Sequence, residues 1–105
     1  MVNEDILKDA TKRLVSRFHP QRIILFGSQA RRGADERSDV DLLIICPLKG
    51  NRRKRMVAMD RALRGLPIAR DIVILTPEEY ERDKGIPGTV ARPAFREGRV
   101  LYEAA

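Results

Sequence analysis

Two aspartates stand one residue apart at the head of an apolar run, in the stretch Ser38-Asp39-Val40-Asp41-Leu42-Leu43-Ile44-Ile45. Side chains at alternate positions of a strand point to the same face, so Asp39 and Asp41 are expected side by side. Two carboxylates held that close repel each other unless a cation lies between them. The pair is therefore a candidate metal site.

A third aspartate, Asp71, lies near the start of another apolar run that ends at Leu75. If the two strands are neighbours, Asp71 lies beside Asp39 and Asp41, and the three carboxylates form an oxygen-rich site of the kind that magnesium prefers. Two such ions suit phosphoryl or nucleotidyl transfer, and Asp71 would bind the ion nearest the attacking hydroxyl and assist its deprotonation. The structural alternatives are an edge-exposed carboxylate or an ion-pair partner for Arg70.

Gly27 and Ser28 precede the aspartate pair and are suited to hold phosphate. Gly27 has no Cβ, so the backbone can approach a phosphate group closely. Ser28 offers a hydroxyl and is expected to cap a short helix whose free amides favour anions. Arg31 is a further candidate contact for a triphosphate. An ordinary helix cap and a surface arginine are the alternatives for Ser28 and Arg31.

The spacing of apolar residues and the turn signals predict the elements that position these side chains. Helices are expected over residues 3–19, 28–32, 52–64, 77–84 and 90–97, and strands over 23–26, 40–46, 69–75 and 100–102. The fold class is therefore α+β (α/β), a small mixed β-sheet of three to four strands flanked by helices. The length of 105 residues predicts a single domain over 1–105.

The composition indicates the cellular location of this chain and the kinds of partner it could bind. Its one cysteine excludes an internal disulfide and favours a cytoplasmic protein, and no apolar run is long enough to cross a membrane. The net charge of +6 predicts attraction to polyanions. The basic cluster, which we define as Lys49 and residues 52–55, could bind nucleic acid or an acidic protein. A solvated basic helix is the alternative, since no aromatic residues are interleaved for base stacking, and nucleic acid is not expected.

The motif Gly27-Ser28, ten residues, Asp39-Val40-Asp41, with Asp71 on a later strand, resembles the signature of the DNA polymerase β-type nucleotidyltransferase superfamily. The short length and the ending from Ala91 to Glu103 resemble minimal nucleotidyltransferases (MNT), commonly the antitoxin half of HEPN–MNT toxin–antitoxin pairs. The resemblance implies a polymerase β-like nucleotidyltransferase fold. It also implies that Asp39, Asp41 and Asp71 are the catalytic magnesium ligands and that Gly27 and Ser28 bind the nucleotide's phosphates.

The same resemblance implies an activity: Mg²⁺-dependent transfer of AMP from ATP to a tyrosine hydroxyl of a cognate HEPN ribonuclease toxin, which neutralises the toxin. A domain this small has little surface left to enclose a second substrate, so the acceptor is expected to arrive with a partner protein, in a hetero-oligomer. The alternatives are a non-catalytic antitoxin that acts by stoichiometric binding, a small-molecule nucleotidyltransferase and a nucleic-acid-binding regulator.

Overall fold

The fold is seen in a computed structural model that describes residues 3–27 and 40–105. Within them the chain runs through α1 (Glu4–Phe18), β1 (Arg22–Phe26), β2 (Val40–Ile45), α2 (Arg52–Ala62), β3 (Arg70–Leu75), α3 (Pro77–Asp83), α4 (Ala91–Glu97) and β4 (Arg99–Glu103). The four strands form one mixed sheet with helices on both faces, which confirms the predicted fold class. Ser28, Arg31, Asp39 and the short helix expected after Gly27 lie outside the described residues.

The first helix begins and ends where the sequence predicts. The side chain of Asn3 accepts a hydrogen bond from the amide of Asp5 at 2.7 Å and so satisfies one of the free amides of the first turn. At the other end His19 adopts a left-handed conformation with φ 49°, and its amide donates to the carbonyl of Val15. His19 therefore ends the helix.

The strand order is β3-β2-β1-β4. β1 pairs antiparallel with both β2 and β4, whereas β2 and β3 are parallel. Parallel neighbours need a crossover connection, and α2 supplies it. β2 has strands on both sides, and this central position explains why its residues from Leu42 to Ile45 are all buried.

Alternation along β2 assigns each face of the sheet to a different pair of helices. Leu42 and Ile44 belong to the core that packs against α1 and α2, while Leu43 and Ile45 belong to the core beneath α3 and α4. Asp41 therefore lies on the α3/α4 face. The same alternation along β3 places Asp71 on the α3/α4 face, because Ile72 and Ile74 belong to the core on the opposite face, against α1 and α2.

The remaining boundaries differ from expectation by one or two residues. α2 ends at Ala62 instead of residue 64, because the amides of Leu63 and Arg64 bond carbonyls three residues back and tighten the last turn. α4 accommodates Pro93 because this residue falls in its first turn, where no amide partner is lost. None of the helices within residues 3–27 and 40–105 is long and apolar enough to cross a membrane.

Candidate active site

Asp41 and Asp71 lie side by side at one end of the sheet. They are register partners on the parallel strands β2 and β3, and both side chains project from the α3/α4 face. Asp41 is half-buried and Asp71 is exposed. The structure thus brings together two of the three aspartates singled out from the sequence, while Asp39 lies outside the described residues.

Gly27 borders the Asp41–Asp71 pair because β1 ends at the residue directly before Gly27. Phe26 is the register partner of Asp41, and Gly27 follows with φ +78°, a conformation that glycine adopts without steric cost. A Cβ on Gly27 would lie 3.1 Å from Cγ of Asp41 and closer still to its Oδ2. The carboxylate of Asp41 thus occupies the space that a side chain at position 27 would need. The sequence alone does not reveal this role of Gly27.

Phe26 is a further site residue that sequence reasoning missed. Register pairs place Phe26, Asp41 and Asp71 in one row across β1, β2 and β3. Phe26 is half-buried and packs against the apolar cluster beneath α3 and α4. Its ring therefore forms an apolar wall beside the carboxylates. The alternation from Ile24 could have placed it on this face, but only the strand register shows that it lies opposite Asp41.

Asp71 is exposed, as one structural alternative expects, but Arg70 is not its ion-pair partner. The Arg70 guanidinium donates to the Asp60 carboxylate at 3.0 Å and to the Asp60 carbonyl at 2.9 Å. Adjacent residues on a strand point to opposite faces, so Arg70 reaches α2 while Asp71 projects from the other side. Arg70 therefore ties β3 to α2 and leaves Asp71 at the candidate site.

The chemistry of this donor set fits a hard divalent cation such as Mg²⁺. Two carboxylates meet at the sheet end, and each supplies the oxygen ligands that this ion prefers. In the described ranges, 3–27 and 40–105, no group of three or more acidic, histidine or cysteine side chains is placed to hold a metal ion. Asp41 and Asp71 are thus the described part of a site that would need further ligands from elsewhere.

The basic cluster is only partly a solvated surface. Arg52 donates two 2.9 Å hydrogen bonds to the Glu79 carboxylate, and with the Thr76 amide these hold the pKa of Glu79 below its usual value. Arg55 stacks over the Phe18 ring, 5.5 Å from its centroid. These two arginines therefore tie α2 to neighbouring elements, and the free cationic character of the cluster rests on its exposed members, Arg53 among them.

Cys46 follows β2 and lies in the α1/α2 core, as expected of a small core residue. Burial raises the pKa of its thiol, although the nearby Arg55 guanidinium acts in the opposite direction. A buried thiol with a raised pKa is a poor nucleophile. Cys46 therefore has no part in the chemistry of the candidate site.

Comparison with known proteins defines the class. The family model described as the nucleotidyltransferase domain matches residues 5–102, nearly the whole chain. The chain belongs to this family and is an enzyme, a nucleotidyltransferase. No curated protein matches its sequence.

Two solved structures share the fold. One is a protein of Sulfolobus solfataricus assigned as a nucleotidyltransferase, with TM-score 0.66 and 22% identity over 94% of this chain and 78% of that one. The other is a mutant of the toxin–antitoxin pair MntA-HpeT, with TM-score 0.60 and 20% identity over 98% of this chain and 75% of that one. At such identities the likeness shows a common architecture.

Proposed function

We propose that this chain is the antitoxin of a toxin–antitoxin pair and transfers AMP from ATP to a tyrosine hydroxyl of a cognate HEPN ribonuclease toxin. The observation that carries the proposal is the pairing of Asp41 with Asp71 on adjacent parallel strands. Nucleotidyl transfer needs carboxylates gathered at the point where charge develops on the triphosphate and the attacking oxygen. The position of Asp41 beside Asp71 in the sheet supports such an arrangement in this chain.

The proposed roles follow from position. Asp41 and Asp71 would hold Mg²⁺, with Asp39 as the remaining ligand, and the ion would offset the negative charge of the triphosphate. Gly27 keeps the space that the Asp41 carboxylate occupies. Asp71, on the exposed side, accepts the proton of the incoming hydroxyl. The hydroxyl oxygen then forms a bond to the α-phosphorus of ATP, the bond between the α- and β-phosphates breaks, and pyrophosphate leaves.

The nucleotide itself would be held at the end of β1. Gly27 brings the backbone close to the site, and Ser28 follows it directly in the chain. We propose the Ser28 hydroxyl and the Arg31 guanidinium as contacts to the phosphates, since neutral and cationic donors stabilise a triphosphate without competing for its metal. The half-buried ring of Phe26 borders the same end of the strand.

Two observations support a protein acceptor. A structure with the same fold belongs to a toxin–antitoxin pair, and the mutant form solved there replaces two aspartates one residue apart with glutamate. Asp39 and Asp41 have that spacing here. In addition, Asp71 is exposed, so an acceptor presented by a second protein can reach it.

The test is to incubate the purified chain with the proposed HEPN toxin, ATP and Mg²⁺, and to follow the toxin by intact mass and its ribonuclease activity. We expect a mass increase of one or more AMP groups on a tyrosine and loss of ribonuclease activity. Both should be abolished by Asp41→Asn and by EDTA, and retained by Asp60→Asn, a carboxylate that bonds Arg70 outside the candidate site.

An unmodified toxin under these conditions would contradict the proposal. The competing account is neutralisation by stoichiometric binding. A variant with Asp39, Asp41 and Asp71 all changed to Asn separates the two, because it keeps the docking surfaces while it loses the carboxylates. If this variant still binds the toxin and protects cells fully, binding alone neutralises the toxin.

A further inference from the structure

The strand that carries Asp71 has an open edge. Within the described residues, β3 has a neighbouring strand on one side only, because the sheet order begins with β3. The amide of Val40 bonds the carbonyl of Ala69, and the amide of Cys46 bonds the carbonyl of Leu75. Odd-numbered residues of β3 therefore direct their backbone groups to β2. The backbone groups of the even-numbered residues point away from the sheet.

One contact confirms this direction. The carbonyl of Ile74 accepts a hydrogen bond from the guanidinium of Arg52, which reaches it from α2 at 3.3 Å. The edge of β3 thus already binds a donor from outside the sheet. The outward backbone groups of Arg70 and Ile72, and the amide of Ile74, lie along the same edge.

A groove runs along this edge between β3 and α2. It has a volume of about 460 Å³ and is lined by Met56, by residues 72–75 and, at its rim, by Arg52 and Arg53. Its floor is apolar and its rim is cationic. Arg52 is neutralised by Glu79, but Arg53 is exposed, and the whole chain carries a net charge of +6. An extended segment complements such a groove when its apolar side chains contact the apolar floor and its acidic side chains contact the cationic rim.

We propose that an extended acidic segment of the toxin binds along β3 as an added strand and thereby brings the acceptor to Asp71; this inference rests on the proposed function. Addition of a strand to a sheet edge is a common mode of peptide recognition, in which backbone hydrogen bonds supply affinity and side-chain pockets supply specificity. Here the edge that has no neighbouring strand among residues 3–27 and 40–105 belongs to the strand that carries a candidate catalytic carboxylate.

Strand geometry explains how an added strand would bring its acceptor residue close to Asp71 and Asp41. Residues directly opposite each other on paired strands project to the same face of the sheet, with Cβ atoms about 4.5–5.5 Å apart. A residue of the added strand opposite Asp71 therefore projects from the α3/α4 face, where Asp41 also lies. The acceptor hydroxyl would then reach the carboxylates of Asp41 and Asp71 from the added strand itself. This chain would not need to form a separate pocket for the acceptor.

The direct test is residue-resolved amide hydrogen exchange of the chain, free and in complex with the full-length HEPN protein. The proposal expects exchange of the Ile72 and Ile74 amides to slow by at least about tenfold on binding, because these amides gain partners. The amides of Val73 and Leu75 already face β2 and serve as internal controls with a smaller change.

A pair of charge reversals tests the rim. Arg53→Glu should raise the Kd for the toxin by about tenfold or more, through repulsion of the acidic segment. Arg61→Glu is the matched control, since Arg61 is exposed on the same helix but lies outside the groove, and its Kd should stay within about twofold of the wild type. Equal effects of the two substitutions would overturn the proposal.

These measurements separate failure of the docking mode from failure of the activity. A toxin that receives AMP while the Ile72 and Ile74 amides exchange at their free rate overturns the docking mode and leaves the proposed function intact. Protection of those amides without AMP transfer supports the docking mode and contradicts the proposed function. Neither protection nor transfer overturns both.

Discussion

The carboxylate of Asp41 occupies the position that a side chain on Gly27 would need. A Cβ on Gly27 would lie 3.1 Å from Cγ and 3.4 Å from Cβ of Asp41. The antiparallel pairing of β1 and β2 creates this relationship, because it sets Phe26 opposite Asp41 and lets the chain turn away at Gly27 with φ +78°. The glycine thus fixes where one candidate catalytic carboxylate can lie.

Gly27→Ala should therefore impair activity beyond its effect on stability. The new methyl group must displace the Asp41 carboxylate, and misplacement of a catalytic group by about 1 Å can cost about 100-fold in rate. The left-handed backbone conformation adds about 1–2 kcal/mol of strain. AMP transfer rates and urea unfolding, measured on the same preparation, give the two effects separately.

Gly50→Ala is the matched control for this prediction. Gly50 has φ +83°, close to that of Gly27, but no atom lies within 4 Å of the position that a methyl group on Gly50 would take. The substitution should cost the same backbone strain of about 1–2 kcal/mol without the clash, and it should leave the transfer rate unchanged. If the two alanine variants lose activity to the same extent, the contact with Asp41 has no catalytic importance.

Asp71→Asn should abolish transfer without weakening the fold. The substitution removes a proposed metal ligand and proton acceptor, and a loss of about 100-fold or more is expected for a group that stabilises charge in the transition state. In EDTA it also relieves repulsion from Asp41, so the free energy of unfolding should stay the same or rise by up to about 1 kcal/mol. Activity assays and urea titrations in EDTA check both parts.

Asp60→Asn is the comparison for Asp71→Asn. It removes the charge that pairs with Arg70, whose side chain is only 12% exposed, and should cost about 1–3 kcal/mol. Its transfer rate should be unchanged. A fold weakened by Asp71→Asn as much as by Asp60→Asn would indicate that Asp71 has a structural role.

Stability should fall in acid as Glu79 loses its charge. Hydrogen bonds from Arg52 foremost, and from the Thr76 amide, lower the pKa of Glu79 from its usual 4.5. A carboxyl whose pKa is lower in the folded state contributes stability above the unfolded value, and this contribution is lost as pH falls from 4.5 through the folded value. The wild type should thus exceed Glu79→Gln in stability at pH 7 and lose this advantage in acid.

Thermal unfolding of both proteins from pH 7 to pH 3 measures this difference. In an Arg52→Gln background the effect of Glu79→Gln should shrink, because the main partner of the carboxylate is gone. A stability difference that is constant across the pH range would show that the charge of Glu79 is not what stabilises the start of α3.

Local sequence signals were sufficient for the elements and for part of the site. Apolar periodicity and caps are short-range features of the sequence, and the structure contains both the Asn3 cap and the Thr76–Glu79 capping box. The sequence predicts that Asp71 lies near Asp41 only if β2 and β3, which are distant in the chain, are neighbours in the sheet. The sheet pairing, with Leu42 opposite Ile72, meets that condition.

Long-range relationships were not accessible from the sequence. The Arg70–Asp60 bond joins α2 to β3, and nothing in the local pattern distinguishes Asp60 from the other exposed carboxylates. The sequence explains Gly27 through phosphate binding alone, because the contact of Gly27 with Asp41 depends on the register of β1 and β2. Likewise, Arg52 and Arg55 resemble members of a solvated cluster until their partners on α3 and α1 are seen.

The most direct test of the central claim uses ATP labelled at either the α- or the γ-phosphate, with the purified chain, its HEPN partner and Mg²⁺. Nucleotidyl transfer at the paired carboxylates predicts that label from α-labelled ATP appears on the toxin, that γ-label is released in pyrophosphate, and that Asp41→Asn and Asp71→Asn each prevent labelling. Label transferred from the γ-phosphate, or α-label transferred equally well by both variants, would contradict the account.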